Sequence, residues 1–198
     1  MPSRSIIREI SETFLIVMLV FLVLQITVRT YQVEGYSMAP TMEHTDYVLV
    51  NKIVYTKFEK TVINNFLPFV DIQSQEVMFP FHTPQRGEIV IFKYPQDETR
   101  EFVKRVLGIP GDLVEIKKGY VYVNGEKITE KYVSYRDTDS TRKFKVGPYS
   151  YFVLGDNRIS SNDSRDWGVV PARNIVGKPW VTLWSSKTST NGIFSFFK

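Results

Sequence analysis

Residues 113–128 read LVEIKKGYVYVNGEKI, and this stretch decides the fold class. Two pairs of turn formers, Lys118-Gly119 and Asn124-Gly125, separate three short runs of alternating or β-branched residues. Glycine accepts positive φ without steric cost and asparagine tolerates it, so each pair closes a tight turn and the unit reads as a small β-meander. The same pattern extends outward. Beyond Tyr31, candidate strands at residues 47–51, 88–94, 101–107, 113–116, 120–123, 151–154 and 180–184 are separated by Gly, Pro, Asn and Asp. Helix signals are nearly absent there, so the expected fold is mainly β, an antiparallel sheet domain.

The start of the chain is different. Residues 14–28 read FLIVMLVFLVLQITV, apolar on every face of a helix, which leaves no side to meet water and argues against a core helix. Glu12 and Arg29 bracket it; at about 1.5 Å per residue the span falls somewhat short of the usual hydrocarbon thickness, a gap that snorkelling of Arg29 and an interfacial Tyr31 would close. Residues 27–35 (TVRTYQVEG) hold no pair of small residues one apart, so a retained anchor is favoured over a cleaved leader. Arg4 and Arg8 precede the span and Arg29 alone follows closely, which favours the amino terminus inside. The expected organisation is a short cytoplasmic segment at 1–13, a single transmembrane helix at 14–30, and an extracytoplasmic β-rich domain at 31–198. Residues 56–86 carry Phe66, Leu67, Phe69, Val77, Met78, Phe79 and Phe81, and read as an apolar insertion, either a flap or a membrane-touching segment. The apolar tail at 193–198 reads as either membrane-touching or packed.

Composition narrows the chemistry. With 198 residues, one good core is expected; with no cysteine, disulfides and thiolate metal sites are excluded. A net charge of +4 with scattered basic residues argues against a nucleic-acid surface. Neither metal-ligand spacing nor a glycine-rich phosphate loop is present, so no metal and no cofactor is expected.

Ser37 sits in GYSMAPT, residues 35–41, a few residues after the membrane exit. Glycine two before and proline three after favour a turn that presents the hydroxyl, with the Ser37 backbone N–H available to an oxyanion. By itself this is an ordinary turn serine, and it needs a base. His44 and His82 stand in no context that points at Ser37. In EFVKRVL, residues 101–107, strand alternation puts Lys104 on one face between Phe102 and Val106. Desolvation there disfavours the ammonium and makes a neutral, basic amine, while the competing reading is a lysine snorkelling to the strand edge.

In four ordered blocks the chain resembles the bacterial type I signal peptidases, a Ser-Lys serine protease family. These are residues 35–41, Arg86 to Phe92 (RGEIVIF), 101–112 (EFVKRVLGIPGD) and 155–165 (GDNRISSNDSR) followed by Trp167-Gly168. The resemblance implies a membrane-anchored endopeptidase that removes signal peptides from exported preproteins at Ala-x-Ala-type sites. It implies Ser37 as nucleophile, Lys104 as general base, and Ser161 as the hydroxyl that orients the lysine amine. Asp163 and Arg165 correspond to a structural ion pair, and Asp156 and Asn157 to turn formers. Val33, Met38 and Phe102 are the expected substrate-pocket wall. The partners implied are signal peptides, membrane lipid and a neighbouring protein-export channel, on the extracytoplasmic side of the bacterial inner membrane.

Two departures stand out. Where many members have a hydroxyl residue two before the nucleophile, this chain has Gly35, and where tyrosine often stands two before the base it has Phe102. The alternative reading is a membrane-anchored β-domain that binds without catalysis, an inactive relative. Self-cleaving repressors share the dyad class, but they have no use for an anchor and usually carry a DNA-reading helix pair, which is absent here.

Overall fold

The structure is a computed structural model that describes residues 3–59, 77–134, 136, 141–185 and 195–196. Most of the apolar insertion, including Phe66, Leu67 and Phe69, and most of the tail lie outside the described residues. The chain opens with helix α1 (Ser3–Thr27), longer at its start and shorter at its end than the expected anchor. Helical hydrogen bonding carries on through the charged first turns, where Arg8 pairs with Glu12 at 2.7 Å. From Phe14 to Ile26 every side chain is exposed, apolar surface that only lipid would cover. The strand that follows begins at Val28, because Val28, Thr30 and Tyr31 suit an extended backbone and pair at once with a neighbouring strand.

Among the described residues fourteen strands follow in order: β1 Val28–Gln32, β2 Tyr47–Asn51, β3 Phe58–Glu59, β4 Val77–Met78, β5 Ile89–Tyr94, β6 Asp97–Gly108, β7 Leu113–Lys117, β8 Tyr120–Val123, β9 Glu126–Lys127, β10 Arg142–Lys145, β11 Ser150–Leu154, β12 Val170–Pro171, β13 Ile175–Trp184 and β14 Ser195–Phe196. All seven expected strands are present. The largest sheet has the order β1-β2-β13-β5-β6-β11-β12, with β14 on β13. The expected meander is the second sheet, β10-β7-β8-β9, and its turn residues Lys118, Gly119, Asn124 and Gly125 all take positive φ. Charge hid β10: RKFK does not read as a strand, and it forms only because β7 offers it an edge.

From β1 to β6 every step of the large sheet is antiparallel, so β1 and β6 run in the same direction. Three apolar clusters hold this arrangement. Phe92, Val106, Tyr151, Val153 and Ile175 fill one face, and Met38, Met42, Val48, Val50 and Ile91 the other. Leu107, Val114, Val121 and Phe152 join the meander to the main sheet. Beside the insertion, Glu88 gathers Lys178 at 2.6 Å, Tyr55 at 2.7 Å, His82 at 2.9 Å and the Gln85 N–H at 2.9 Å. Burial pushes its carboxyl up, but these four donors win and hold it down to about 2. His82 therefore belongs to a structural cluster. The depressed value means that the cluster stabilises the fold above the ordinary carboxyl range and loses that contribution as pH falls toward 2.

Gly108 marks the tightest packing between sheet and meander: a Cβ there would lie 2.6 Å from Val114 Cγ2 and 2.9 Å from Val146 Cγ2. Gly108→Ala is expected to destabilise the protein by about 1–3 kcal/mol through overpacking, lowering the thermal midpoint of the detergent-solubilised protein. An unchanged midpoint would show that the two sheets give way freely.

Candidate active site

The turn after β1 reverses the chain at Gly35, whose φ of +86° is open to glycine and strained for other residues. The Gly35 N–H donates to His44 Nδ1 at 3.1 Å, a tie that sequence reasoning missed because His44 returns to the turn only through the fold of the loop. Met38 and Met42 then drive their side chains into the core, and the Met42 N–H donates to the Met38 carbonyl at 3.0 Å. Ser37 is thus fixed between an exposed Tyr36 and a buried Met38. Its carbonyl accepts the Asn157 N–H at 3.0 Å, which joins the turn to the loop at 155–163.

Lys104 lies on β6 opposite Val90, on the face that also carries Phe102 and Val106. It does not snorkel: the residue is 4% exposed, and Nζ stands 2.6 Å from Ser37 Oγ and 3.0 Å from the Val103 carbonyl. Burial pushes the amine down from 10.5 to about 8, against the opposing charges of Asp163 and Asp156. Burial prevails because both carboxylates already have cations of their own. Arg105 holds Asp156 through two bonds of 2.8 and 2.6 Å, and Arg165 holds Asp163 at 2.8 and 3.0 Å.

The residues around the dyad differ in part from their sequence reading. Asp156 is more than a turn former: it is fully buried, it is paired with Arg105, and it accepts the Thr41 hydroxyl at 2.5 Å. Asn157 keeps the turn role, its Oδ1 accepting the Ser160 N–H at 3.3 Å. Asp163 caps the short helix Ser164–Trp167 and accepts the Gly155 N–H at 3.0 Å, so the Asp163–Arg165 pair holds the loop as expected. The Ser161 hydroxyl is buried and has no hydrogen-bond partner; the bond to Lys104 implied for it is not formed here, since the amine faces Ser37 and Val103. Gly155 has no side chain because there is no room: a Cβ would lie 2.2 Å from Ser161 Oγ and 2.5 Å from the Ser37 carbonyl oxygen.

A cleft of about 460 Å³ opens beside the dyad, lined by residues 31–34 on one side and 100–104 on the other, with Val48 and Ile91 as floor. Val33 and Phe102 line it. Met38 does not; its side chain is 1% exposed in the core beneath, because the turn needs that anchor to hold Ser37 in place.

The family model described as signal peptidase, peptidase S26, matches residues 6–184. The chain is 33% identical to signal peptidase I of Pseudomonas aeruginosa over 90% of its own length and 72% of the relative's. It is 35% identical to signal peptidase I of Bacillus caldolyticus over 79% of its length and 80% of the relative's. A crystal structure of a signal peptidase I from Enterococcus faecalis is 32% identical, with a TM-score of 0.44, over 48% of this chain and 96% of that one. Nothing in these likenesses favours the non-catalytic reading, and the exposed apolar helix accords with membrane anchoring. The chain belongs to the signal peptidase family, as a membrane-anchored serine endopeptidase that cleaves signal peptides from exported preproteins.

Proposed function

We propose that Ser37 is the nucleophile and Lys104 the general base of this peptidase, acting on sites with small side chains one and three residues before the cut. The carrying observation is the 2.6 Å approach of the Lys104 amine to Ser37 Oγ in a buried site that lowers the amine to about 8. The neutral amine takes the hydroxyl proton as Oγ attacks the scissile carbonyl. The Ser37 N–H receives the oxyanion, and the resulting ammonium returns its proton to the leaving amine. Water, deprotonated by the same lysine, then hydrolyses the Ser37 ester. The buried Ser161 hydroxyl supplies the acceptor that holds the lysine between these transfers, a use for a group whose orphaned state otherwise costs about 1–3 kcal/mol.

An extended substrate fits between β1 and β6, where backbone on both sides offers strand addition over an apolar floor. Helix α1 leads directly into β1, so the cleft runs from the bilayer toward the dyad. With Arg4 and Arg8 before the span, the domain stands on the extracytoplasmic face of the inner membrane on a single pass, in contact with lipid and beside the export channel.

Because the neutral amine is the active form, kcat/KM should rise with pH through about 8, falling about tenfold per unit on the acid side. Lys104→Arg keeps the cation but cannot take a proton, and together with Ser37→Ala should lose about three orders of magnitude or more. An acid limb near the free-lysine value, or turnover by the arginine variant, would remove Lys104 as base. Gly155→Ala should lower kcat well beyond any change in unfolding midpoint, since its Cβ would displace both Ser161 and the Ser37 carbonyl; parallel losses would make Gly155 a purely structural residue.

A further inference from the structure

Tyr31 and Glu101 occupy matched positions on the two walls of the cleft. Tyr31 stands two residues before Val33, and Glu101 two before Val103, in strands that run the same way. At about 3.3 Å per residue, the Tyr31–Glu101 level lies about 7 Å farther from the dyad than the Val33–Val103 level. That is the spacing of alternate side chains in an extended peptide. If the side chain before the scissile bond rests over Val33 and Val103, the one two residues earlier rests over Tyr31 and Glu101.

This second level is not apolar. The Tyr31 ring packs on the cluster that includes Val33, Val48 and Ile91, while its hydroxyl oxygen is buried and faces the Glu101 carboxylate. Burial and the facing Glu101 charge both raise the phenol's affinity for its proton, so the group is held as a donor. Glu101 is exposed at the cleft wall and has Tyr31 as its neighbour from the opposite side. Arg29 lies 5.3 Å above the Tyr31 ring, Arg100 stacks 5.1 Å from the Phe102 ring, and Glu34 also lines the cleft. None of these covers the Glu101 carboxylate among the described contacts.

We propose that Glu101, positioned by the Tyr31 hydroxyl, makes the third-position pocket of this peptidase polar and selects a small hydroxyl side chain, serine or threonine, over an apolar one of the same size. The reading rests on the substrate path proposed above. The substrate hydroxyl donates to one carboxylate oxygen of Glu101, and the Tyr31 hydroxyl donates to the other. Valine fits the same space but leaves the oxygen that faces the substrate desolvated without a donor, which is why a site of this kind discriminates strongly.

The test is a pair of signal-sequence peptides identical except for threonine or valine three residues before the cut, cleaved by the full-length protein in detergent. Wild type is expected to favour threonine by about tenfold or more in kcat/KM. Glu101→Leu should abolish or invert that ratio, and Tyr31→Phe should reduce it while threonine stays preferred. Each ratio is internal to one preparation, so a partly folded variant still reports it, and Tyr31→Phe serves if Glu101→Leu does not fold. A wild-type ratio near one, or a ratio unchanged by Glu101→Leu, overturns the proposal while leaving the dyad intact. Cleavage of both peptides undiminished in Ser37→Ala would instead overturn the catalytic reading on which the proposal stands.

Discussion

Burial keeps the proton affinity of the Lys104 amine low, and two arginines take up the charge of the two buried acids that oppose it. Asp156 and Asp163 both raise the affinity of the amine for its proton, and left unpaired they would hold it as an ammonium. Arg105 and Arg165 take up those charges, so burial dominates and the amine falls to about 8. The Arg105–Asp156 pair does mechanical service as well. Arg105 also donates to the Gly87 carbonyl at 2.7 Å, and Asp156 receives Thr41, so the pair binds β6, the Ser37 turn and the loop at 155–163 together.

Removing either member of such a pair leaves an uncompensated buried charge, which is strongly destabilising. The same change would also alter the proton affinity of Lys104. Stability and the proton affinity of Lys104 are therefore coupled in this fold through residues outside the cleft. Tyr132, whose ring lies 3.9 Å from the Arg105 guanidinium, extends the network toward the meander. Glu130 continues it by accepting from both Arg136 and Arg158, and Arg158 in turn donates to the Gly155 carbonyl at 3.0 Å.

Membrane attachment and substrate path follow from a single continuity. Helix α1 ends at Thr27 and β1 begins at Val28, with no linker between them. One wall of the cleft is thus the direct prolongation of the apolar helix. The cleft walls carry the charged Glu34, Arg100 and Glu101 beside the apolar Val33, Val48 and Ile91.

The sequence alone determined the elements whose signal is local. The apolar run of α1, the turn residues of the meander and the alternation of β5, β6 and β8 each depend on near neighbours, and each was legible. The ordered blocks made Ser37 and Lys104 candidates, because residue type and spacing carry that information. What only the tertiary structure decided is whether distant groups meet. Ser37 and Lys104, 67 positions apart, close to 2.6 Å through sheet packing, His44 reaches the Gly35 N–H through a loop, and Asp156 finds Arg105 from 51 positions away. Met38 shows the same dependence: next to Ser37 in sequence, it is turned into the core because a serine held at the surface needs a buried neighbour to fix it. Local pattern sets which residues can do chemistry, and burial, which depends on the whole chain, sets which of them are charged, paired or free to act.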